Sequence, residues 1–230
     1  MKIGIIGAMD EEIIVLKEKM ENREDWQEAN AAFSSGELYG HQVVLVKSGI
    51  GKVNAALAAT LLISKYQVEA VINTGSAGAI DESLKIGDVV VSTALAYHSA
   101  DATAFGYVYG QIPQMPARYT ADDRLLDVTA EAITEVGLSP VKGLIVTSDS
   151  FIADSKRVKE IKFHFPDALV SEMEGAAVAQ TCYQFQIPFV IVRAVSDTAD
   201  NEANVSFDTF IIKAGKNSAM MVCHILEKLK

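Results

Sequence analysis

Short runs of aliphatic and β-branched residues, each closed by Gly, Ser, Asp or Glu, alternate along this chain with longer stretches of helical apolar spacing. That alternation confines it to an α/β architecture with a largely parallel sheet. Lys2–Ala8, Ala70–Thr74, Asp88–Ser92, Gly143–Thr147, Ala168–Ser171 and Pro188–Val195 read as strands. The continuous Val and Ile of Ala70–Thr74 and Asp88–Ser92 imply burial on both faces, which places these two mid-sheet. Ile13, Leu16 and Met20 mark one stripe of a helix over Asp10–Glu21. Further helices are expected from Gly51 to Tyr66, over Asp122–Val136, over Ser155–His164 with Pro166 as its stop, over Gly175–Phe185, and from about Phe207 onward. A hairpin of Ala32–Leu38 and Gln42–Ser48 turns at Tyr39 and Gly40. With 230 residues the chain approaches the upper end of what one hydrophobic core supports, so residues 1–230 are expected to form a single domain.

The 20 basic residues face 30 acidic ones, a formal net charge of -10, and no basic cluster offsets it. Such a surface repels phosphate backbones and anionic bilayers, which argues against nucleic-acid and membrane partners. The longest apolar runs, such as Phe189–Val192, fall far short of the roughly 20 residues of a membrane span. The apolar start at Ile3–Met9 is cut off by Asp10, Glu11 and Glu12 without a small-residue cleavage site, so it reads as a first strand rather than a secretory leader. Cys182 and Cys223 fall on apolar helical faces, the pattern of packed free thiols in a reducing, cytoplasmic setting.

Residues 98–118 break the alternation. Phe105, Tyr107, Tyr109, Pro113, Met115 and Pro116 lie there with neither helical nor strand period. A long ordered loop in a compact domain usually has a task. This one is too apolar to be left in water, so it should cover a ligand or a second subunit, or else pack on itself.

Ligands of open α/β sheets sit beyond the carboxyl ends of the strands. Four polar endings are therefore of interest: Met9-Asp10-Glu11-Glu12, Thr74-Gly75-Ser76-Ala77-Gly78, Glu172-Met173-Glu174 and Ser196-Asp197. Asp10, Glu11 and Glu12 open a helix, where carboxylates meet the positive dipole end whether or not they perform chemistry. Gly75 and Gly78 provide either a tight turn or a close backbone approach to a ligand. Glu172 and Glu174 point to one side if the strand persists that far; the alternative is that they cap the helix starting near Gly175. Arg193 interrupts an otherwise uncharged strand, and the cost of burying an unpaired guanidinium predicts an ion pair with Glu174 or Glu172. The histidines at 41, 98, 164 and 224 and the two cysteines lack metal-ligand spacing, so neither a metal nor another cofactor is expected. Ser76 lies in no nucleophile-elbow sequence. Carboxylates remain as catalysts.

Six ordered blocks carry a resemblance: Gly4-Ile5-Ile6-Gly7-Ala8-Met9 with Glu11-Glu12, Ser48-Gly49-Ile50-Gly51-Lys52-Val53, Asn73-Thr74-Gly75-Ser76-Ala77-Gly78, Thr103-Ala104-Phe105-Gly106-Tyr107, Glu172-Met173-Glu174, and Arg193-Ala194-Val195-Ser196-Asp197. They resemble those of the 5'-methylthioadenosine/S-adenosylhomocysteine nucleosidase family over nearly the whole chain. The resemblance implies a three-layer, nucleoside phosphorylase-like α/β fold, a central mixed but mostly parallel sheet flanked by helices. It implies hydrolysis of the N-glycosidic bond of 5'-methylthioadenosine and S-adenosylhomocysteine, and of 5'-deoxyadenosine, to adenine and the free sugar, in methionine salvage and quorum-signal synthesis.

The same resemblance assigns roles. Glu12 becomes the base that deprotonates the attacking water, and Asp197 the donor to adenine N7. Glu174 grips the ribose 2'- and 3'-hydroxyls, held by Arg193, with Met173 against the sugar. Phe151 covers the purine face and the Ile152 backbone its edge, with Ser76, Ala77 and Gly78 nearby; Glu172 and Ser196 complete the binding set. Met9, Ile50 and Phe207 line a slot for the 5'-alkylthio group, and Phe105 and Pro113 of the long loop enter a neighbouring subunit's slot, making a homodimer part of the site. The division of labour is chemically sensible, because an adenine anion leaves poorly while the ribosyl carbon becomes oxocarbenium-like. Asp197 is an acid at neutral pH only if its pKa is raised or it shares its proton within the bound complex.

A phosphorylase of the same fold, using phosphate in place of water, is the alternative. Phosphate needs fixed cations, and Gly7-Ala8-Met9-Asp10 and Asn73-Thr74-Gly75-Ser76 contain neither Arg nor Lys. A nucleoside sensor without catalysis is a third reading, opposed by the joint presence of Glu12, Glu174 and Asp197. Asp10, Ser99 and Ser171 depart from the family's common residues. At Ser148, where Gly is common, a positive φ is expected to strain and displace the purine loop.

Overall fold

In the computed structural model, which describes residues 1–135, 137–199 and 203–229, each apolar run becomes a strand and each periodic stretch a helix. The order is β1 (Lys2–Gly7), α1 (Asp10–Lys19), β2 (Glu21–Glu28), β3 (Ala31–Leu38), β4 (His41–Lys47), α2 (Lys52–Ser64), β5 (Ala70–Ala79), β6 (Val89–Tyr97), β7 (Tyr119–Thr120), α3 (Asp123–Glu135), β8 (Pro140–Thr147), α4 (Ser155–His164), β9 (Ala168–Glu172), α5 (Gly175–Phe185), β10 (Phe189–Asp197) and α6 (Ala203–Lys228). Val136, the predicted last residue of α3, lies outside the described residues, and α6 starts ahead of the predicted Phe207.

The sheet is mixed. β4, β1, β5 and β10 run parallel side by side. β10 also pairs antiparallel with β6, β6 pairs parallel with β8, and β8 with β9. β9 then returns antiparallel to β5 through Gly78 opposite Ser171 and Ala79 opposite Val170. The strands β5, β10, β6, β8 and β9 thus form a closed circuit, from which β1, β4, β3 and β2 extend as a wing. Every residue of β10 is buried, as its uninterrupted apolar run predicts.

Helices cover both faces. On one, α1, α3 and α6 bring Ile13, Leu16, Ile133, Met221 and Ile225 onto Ile3, Ile5 and Ile72. On the other, α2 and α5 bring Ala55, Leu62, Val178 and Cys182 onto Ile6, Val71 and Ile191. Cys223 is buried on α6, and both thiols are free. No helix among the described residues is long and apolar enough to cross a membrane.

Apart from the two-residue β7, which the sequence reading did not include, two features depart from it. β2 was not predicted: its Glu-Asn-Arg-Glu-Asp-Trp-Gln-Glu run has no apolar alternation, because it is an edge strand paired only with β3. Its charges suit an edge that must not recruit another strand. Trp26 anchors it from its inner side, stacking on Phe33 with centroids 5.5 Å apart and donating to the Tyr66 hydroxyl at 2.8 Å, and Asp25 and Glu28 add bonds to Ser34, Lys65 and Tyr66. Second, β5, β6, β9 and β10 continue past their apolar runs into polar residues, so Gly75 and Gly78 lie within a strand rather than a turn.

Gly215 sets the seat of α1. A Cβ there would lie 2.3 Å from the Glu11 carbonyl oxygen, a backbone atom that cannot swing aside. Gly215→Ala is expected to cost about 1–3 kcal/mol in urea unfolding, the usual range for overpacking. Because α1 opens with Glu11 and Glu12, activity should fall by more than the lost folded fraction accounts for.

Candidate active site

The ends of β1 from the wing and of β5, β9 and β10 from the circuit converge on one cavity of about 500 Å³, the size of a small-molecule site. α1 starts there because β1 ends at Gly7 and three acidic residues fill the helix's first turn. Asp10 turns outward to Lys47 at 2.7 Å, whereas Glu12 turns in and is 3% exposed. Its Oε2 accepts from the Ala8 amide at 2.7 Å and the Met9 amide at 3.2 Å; its Oε1 accepts from the Ser76 amide at 3.1 Å. Burial raises the Glu12 carboxyl above its ordinary value, against the lowering by the Arg193 guanidinium and these amides.

Gly75 and Gly78 explain how carboxylates reach β5. A Cβ on Gly75 would sit 2.8 Å from Glu12 Oε1, and one on Gly78 would sit 2.7 Å from Asp197 Oδ1. The glycines admit the protein's own acids, which is a different close approach from the ligand contact read from the sequence. Asp197 closes β10 and is 1% exposed; Ser196 Oγ donates to its Oδ2 and the Ala199 amide to its Oδ1, each at 2.9 Å.

Arg193 forms the predicted ion pair, with the partner resolved. Its Nη2 lies 2.5 Å from Glu172 Oε2 and 3.9 Å from Glu174 Oε2, so Glu172 rather than Glu174 is held directly. The same Nη2 donates to Asn73 Oδ1 at 2.6 Å. Glu172 also accepts from the amides of Glu174 and Gly175 and from the Thr147 hydroxyl. It therefore does both things the sequence left open: it caps α5 and pairs with arginine. Glu174, released from that duty, faces the cavity and accepts from the Gly51 amide at 2.8 Å. Burial and the neighbouring Glu172 carboxylate push Glu174 up to about 8, against the lowering by Arg193.

Most of the expected set lies on the cavity wall. Met9, Ile50 and Phe207 line it together, and Phe151, Met173, Ser76, Ala77, Gly78 and Ser196 face it as well. Phe151 meets Phe207 edge-on, with centroids 5.6 Å apart. Arg193 stands behind the wall, through Glu172. The Ile152 side chain packs into the small core of α4 with Val146, Ile161 and Phe165, which leaves only its backbone for a ligand. Phe105 and Pro113 do not line this cavity, and Phe105 is 84% exposed. Ala8 and Ser171 line the cavity without having been singled out; their place at the ends of β1 and β9 was the available signal. Neither Lys nor Arg lines it among the described residues.

The expectation for Ser148 is overturned. It is not among the residues with positive φ; its amide donates to the Glu172 carbonyl at 3.1 Å and its Oγ accepts from the Ser150 amide at 3.0 Å. The side chain ties the loop that carries Phe151 instead of straining it. Residues 98–118 are partly self-packed, Tyr109 stacking on His164 with centroids 3.7 Å apart and donating to the His98 carbonyl.

Comparison with known proteins places this geometry. The model of the phosphorylase superfamily matches residues 2–227. A 5'-methylthioadenosine/S-adenosylhomocysteine nucleosidase of Staphylococcus carnosus is 52% identical over 99% of this chain and 100% of its own length. One of Bacillus subtilis is 48% identical over the full length of both. The crystal structure of the Neisseria meningitidis enzyme of that name, in complex with methylthio-immucillin-A, superposes with a TM-score of 0.97 at 48% identity, covering 98% of each chain.

The raised Glu174 carboxyl makes stability depend on pH. In the folded chain it keeps its proton to about pH 8, whereas the unfolded chain loses it near 4.5. Its stabilising contribution is thus complete below about 4.5 and is lost as pH rises through about 8. Glu174→Gln does not titrate, so the melting temperature of the variant relative to the unmodified protein should rise between pH 5 and 8.5. An unchanged difference across that interval would contradict the raised value.

Proposed function

The chain belongs to the 5'-methylthioadenosine/S-adenosylhomocysteine nucleosidase family of the phosphorylase superfamily, and from that premise we propose how its cavity works. It hydrolyses the N-glycosidic bond of 5'-methylthioadenosine and S-adenosylhomocysteine, releasing adenine with 5-methylthioribose or S-ribosylhomocysteine. The observation that carries the mechanism is a cavity into which Glu12, Glu174 and Asp197 all open while no described Lys or Arg lines it. Such a wall accepts water and repels the phosphate that a phosphorylase must hold.

Glu12, its basicity increased by burial, takes a proton from water as the oxygen attacks C1' of the ribose. Asp197 delivers a proton to N7, so that adenine leaves neutral as the C1'–N9 bond breaks. The proton gained by Glu12 and the one given up by Asp197 balance, and exchange with solvent resets both. Glu174 binds the 2'- and 3'-hydroxyls. Hydrogen bonds donated by the sugar and the positive charge growing on C1' both favour its ionised form, so its grip tightens towards the transition state. Phe151 and the Ile152 backbone hold the purine, and Met9, Ile50 and Phe207 receive the 5'-alkylthio group, a slot that also suits 5'-deoxyadenosine.

The chain works as one domain and as a homodimer. Ile50 lines the cavity and α2 begins just after it, with Val53 and Leu57 exposed; these and the exposed Phe105 are apolar surface that a second copy would cover. Phe105 and Pro113 of one subunit then close the alkylthio slot of the other. Two buried free thiols suit the reducing cytoplasm.

Adenine release from 5'-methylthioadenosine in phosphate-free buffer tests the reaction. The unmodified chain should form free 5-methylthioribose, and Glu12→Gln and Asp197→Asn should each lose at least about a hundredfold in kcat, the lower range for acid–base catalysis. Adenine formed only after phosphate is added would favour the phosphorylase. For the assembly, sedimentation should find a dimer, and Phe105→Ala should raise KM several-fold with little change in kcat; a fully active monomer would refute the shared site.

A further inference from the structure

Ser171 is buried to 6% exposure, yet it lines the cavity, and no role has been given to it. Its place in the sheet is informative. Gly78 pairs with Asp197 on one side and with Ser171 on the other, so the two polar residues flank a position that has no side chain. Two strand spacings, roughly 10 Å, separate them. A purine lying over Gly78, with a hydrogen bond at each edge, fills that span.

Behind Ser171 stands His98, itself only 4% exposed, with Nε2 3.3 Å from Ser171 Oγ. The His98 backbone is fixed at both ends, its amide donating to the Thr147 carbonyl at 3.0 Å and its carbonyl accepting from the Tyr109 hydroxyl at 3.2 Å. Burial pushes the imidazole down to about 4, so it is neutral at pH 7. In the Nε2–H tautomer it donates to Ser171 Oγ, which turns the hydroxyl proton toward the cavity.

We propose that Ser171 donates a hydrogen bond to N3 of the departing adenine, and that His98 is the positioning residue that aims it. The inference rests on the base orientation given above, with Asp197 at N7. Of the remaining ring nitrogens, N1 belongs to the edge met by the Ile152 backbone, and N9 carries the sugar. N3 flanks N9 on the side away from N7. The chain runs from Ser171 directly through Met173 to Glu174, the residues assigned to the ribose, so Ser171 sits where the base meets its sugar. As the bond breaks, electron density accumulates on the purine and the hydrogen bond to N3 strengthens, contributing to kcat as well as to binding.

The test compares 5'-methylthioadenosine with its 3-deaza analogue, in which N3 is a C–H, on the unmodified chain, Ser171→Ala and His98→Ala, with melting temperatures to confirm folding. Ser171→Ala should lower kcat/KM for 5'-methylthioadenosine about tenfold, the upper range for one neutral hydrogen bond, and leave the 3-deaza analogue nearly unchanged. His98→Ala should move the same ratio in the same direction, which a merely structural loss would not do. Equal losses on both substrates, or no loss on either, would overturn the assignment while leaving the nucleosidase reading intact. An unmodified chain that releases no adenine from 5'-methylthioadenosine would instead overturn that reading, and this inference with it.

Discussion

A guanidinium sealed inside the sheet organises this molecule. Arg193 reaches Glu172 at the end of β9 and Asn73 on β5, and Asn73 passes the connection on by donating to the Ile6 carbonyl of β1 at 2.8 Å. One charged side chain thus joins four strands at the level where the reaction takes place. Removing either member of a buried pair leaves the other uncompensated, which typically costs about 3–5 kcal/mol. The pair also sets the local field. Arg193 lowers both Glu12 and Glu174 against the desolvation that raises them, so the two carboxyls proposed for the reaction are tuned by a residue that does not line the cavity.

The second constraint is that polar residues must finish strands whose interiors are wholly apolar. Backbone pairing makes this possible. β5 continues through Ser76 to Ala79 because β10 on one side and β9 on the other supply its ladder partners. Held in that ladder, Ser76 spends its amide on Glu12. Glu172 satisfies its oxygens with an arginine, a hydroxyl and the first amides of α5, and in doing so it leaves Glu174 facing the cavity. The site is assembled from groups already needed to terminate strands and start helices.

What the sequence made legible follows from the same physics. α4 and α5 have the predicted bounds, since Pro166 and the αL residue Gln186 end them sharply. The strand interiors were readable from their apolar runs; their ends were not, because Ser, Asp and Glu have low strand propensity and are held extended by neighbours distant in sequence. β2 was illegible for a related reason, as a charged edge strand resembles a loop residue by residue. Within the site, Glu12, Glu174 and Asp197 stood at strand ends, but their roles came from family resemblance. The choice of Glu172 over Glu174 as the arginine's partner depended on the turn into α5, which no periodicity encodes.

The wall that β5 gives to the cavity, Ser76, Ala77 and Gly78, is made of small residues. Gly75 and Gly78 have carboxylate oxygens where a β-carbon would go, so neither position can accept a larger residue without displacing Glu12 or Asp197. An inhibitor that rests on Gly78 therefore contacts a point of the wall that substitution cannot fill without moving Asp197. Met9, Ile50 and Phe207 on the same wall present side chains instead, so compounds that gain most of their affinity over Gly78 should be harder to escape by substitution than compounds that lean on those three.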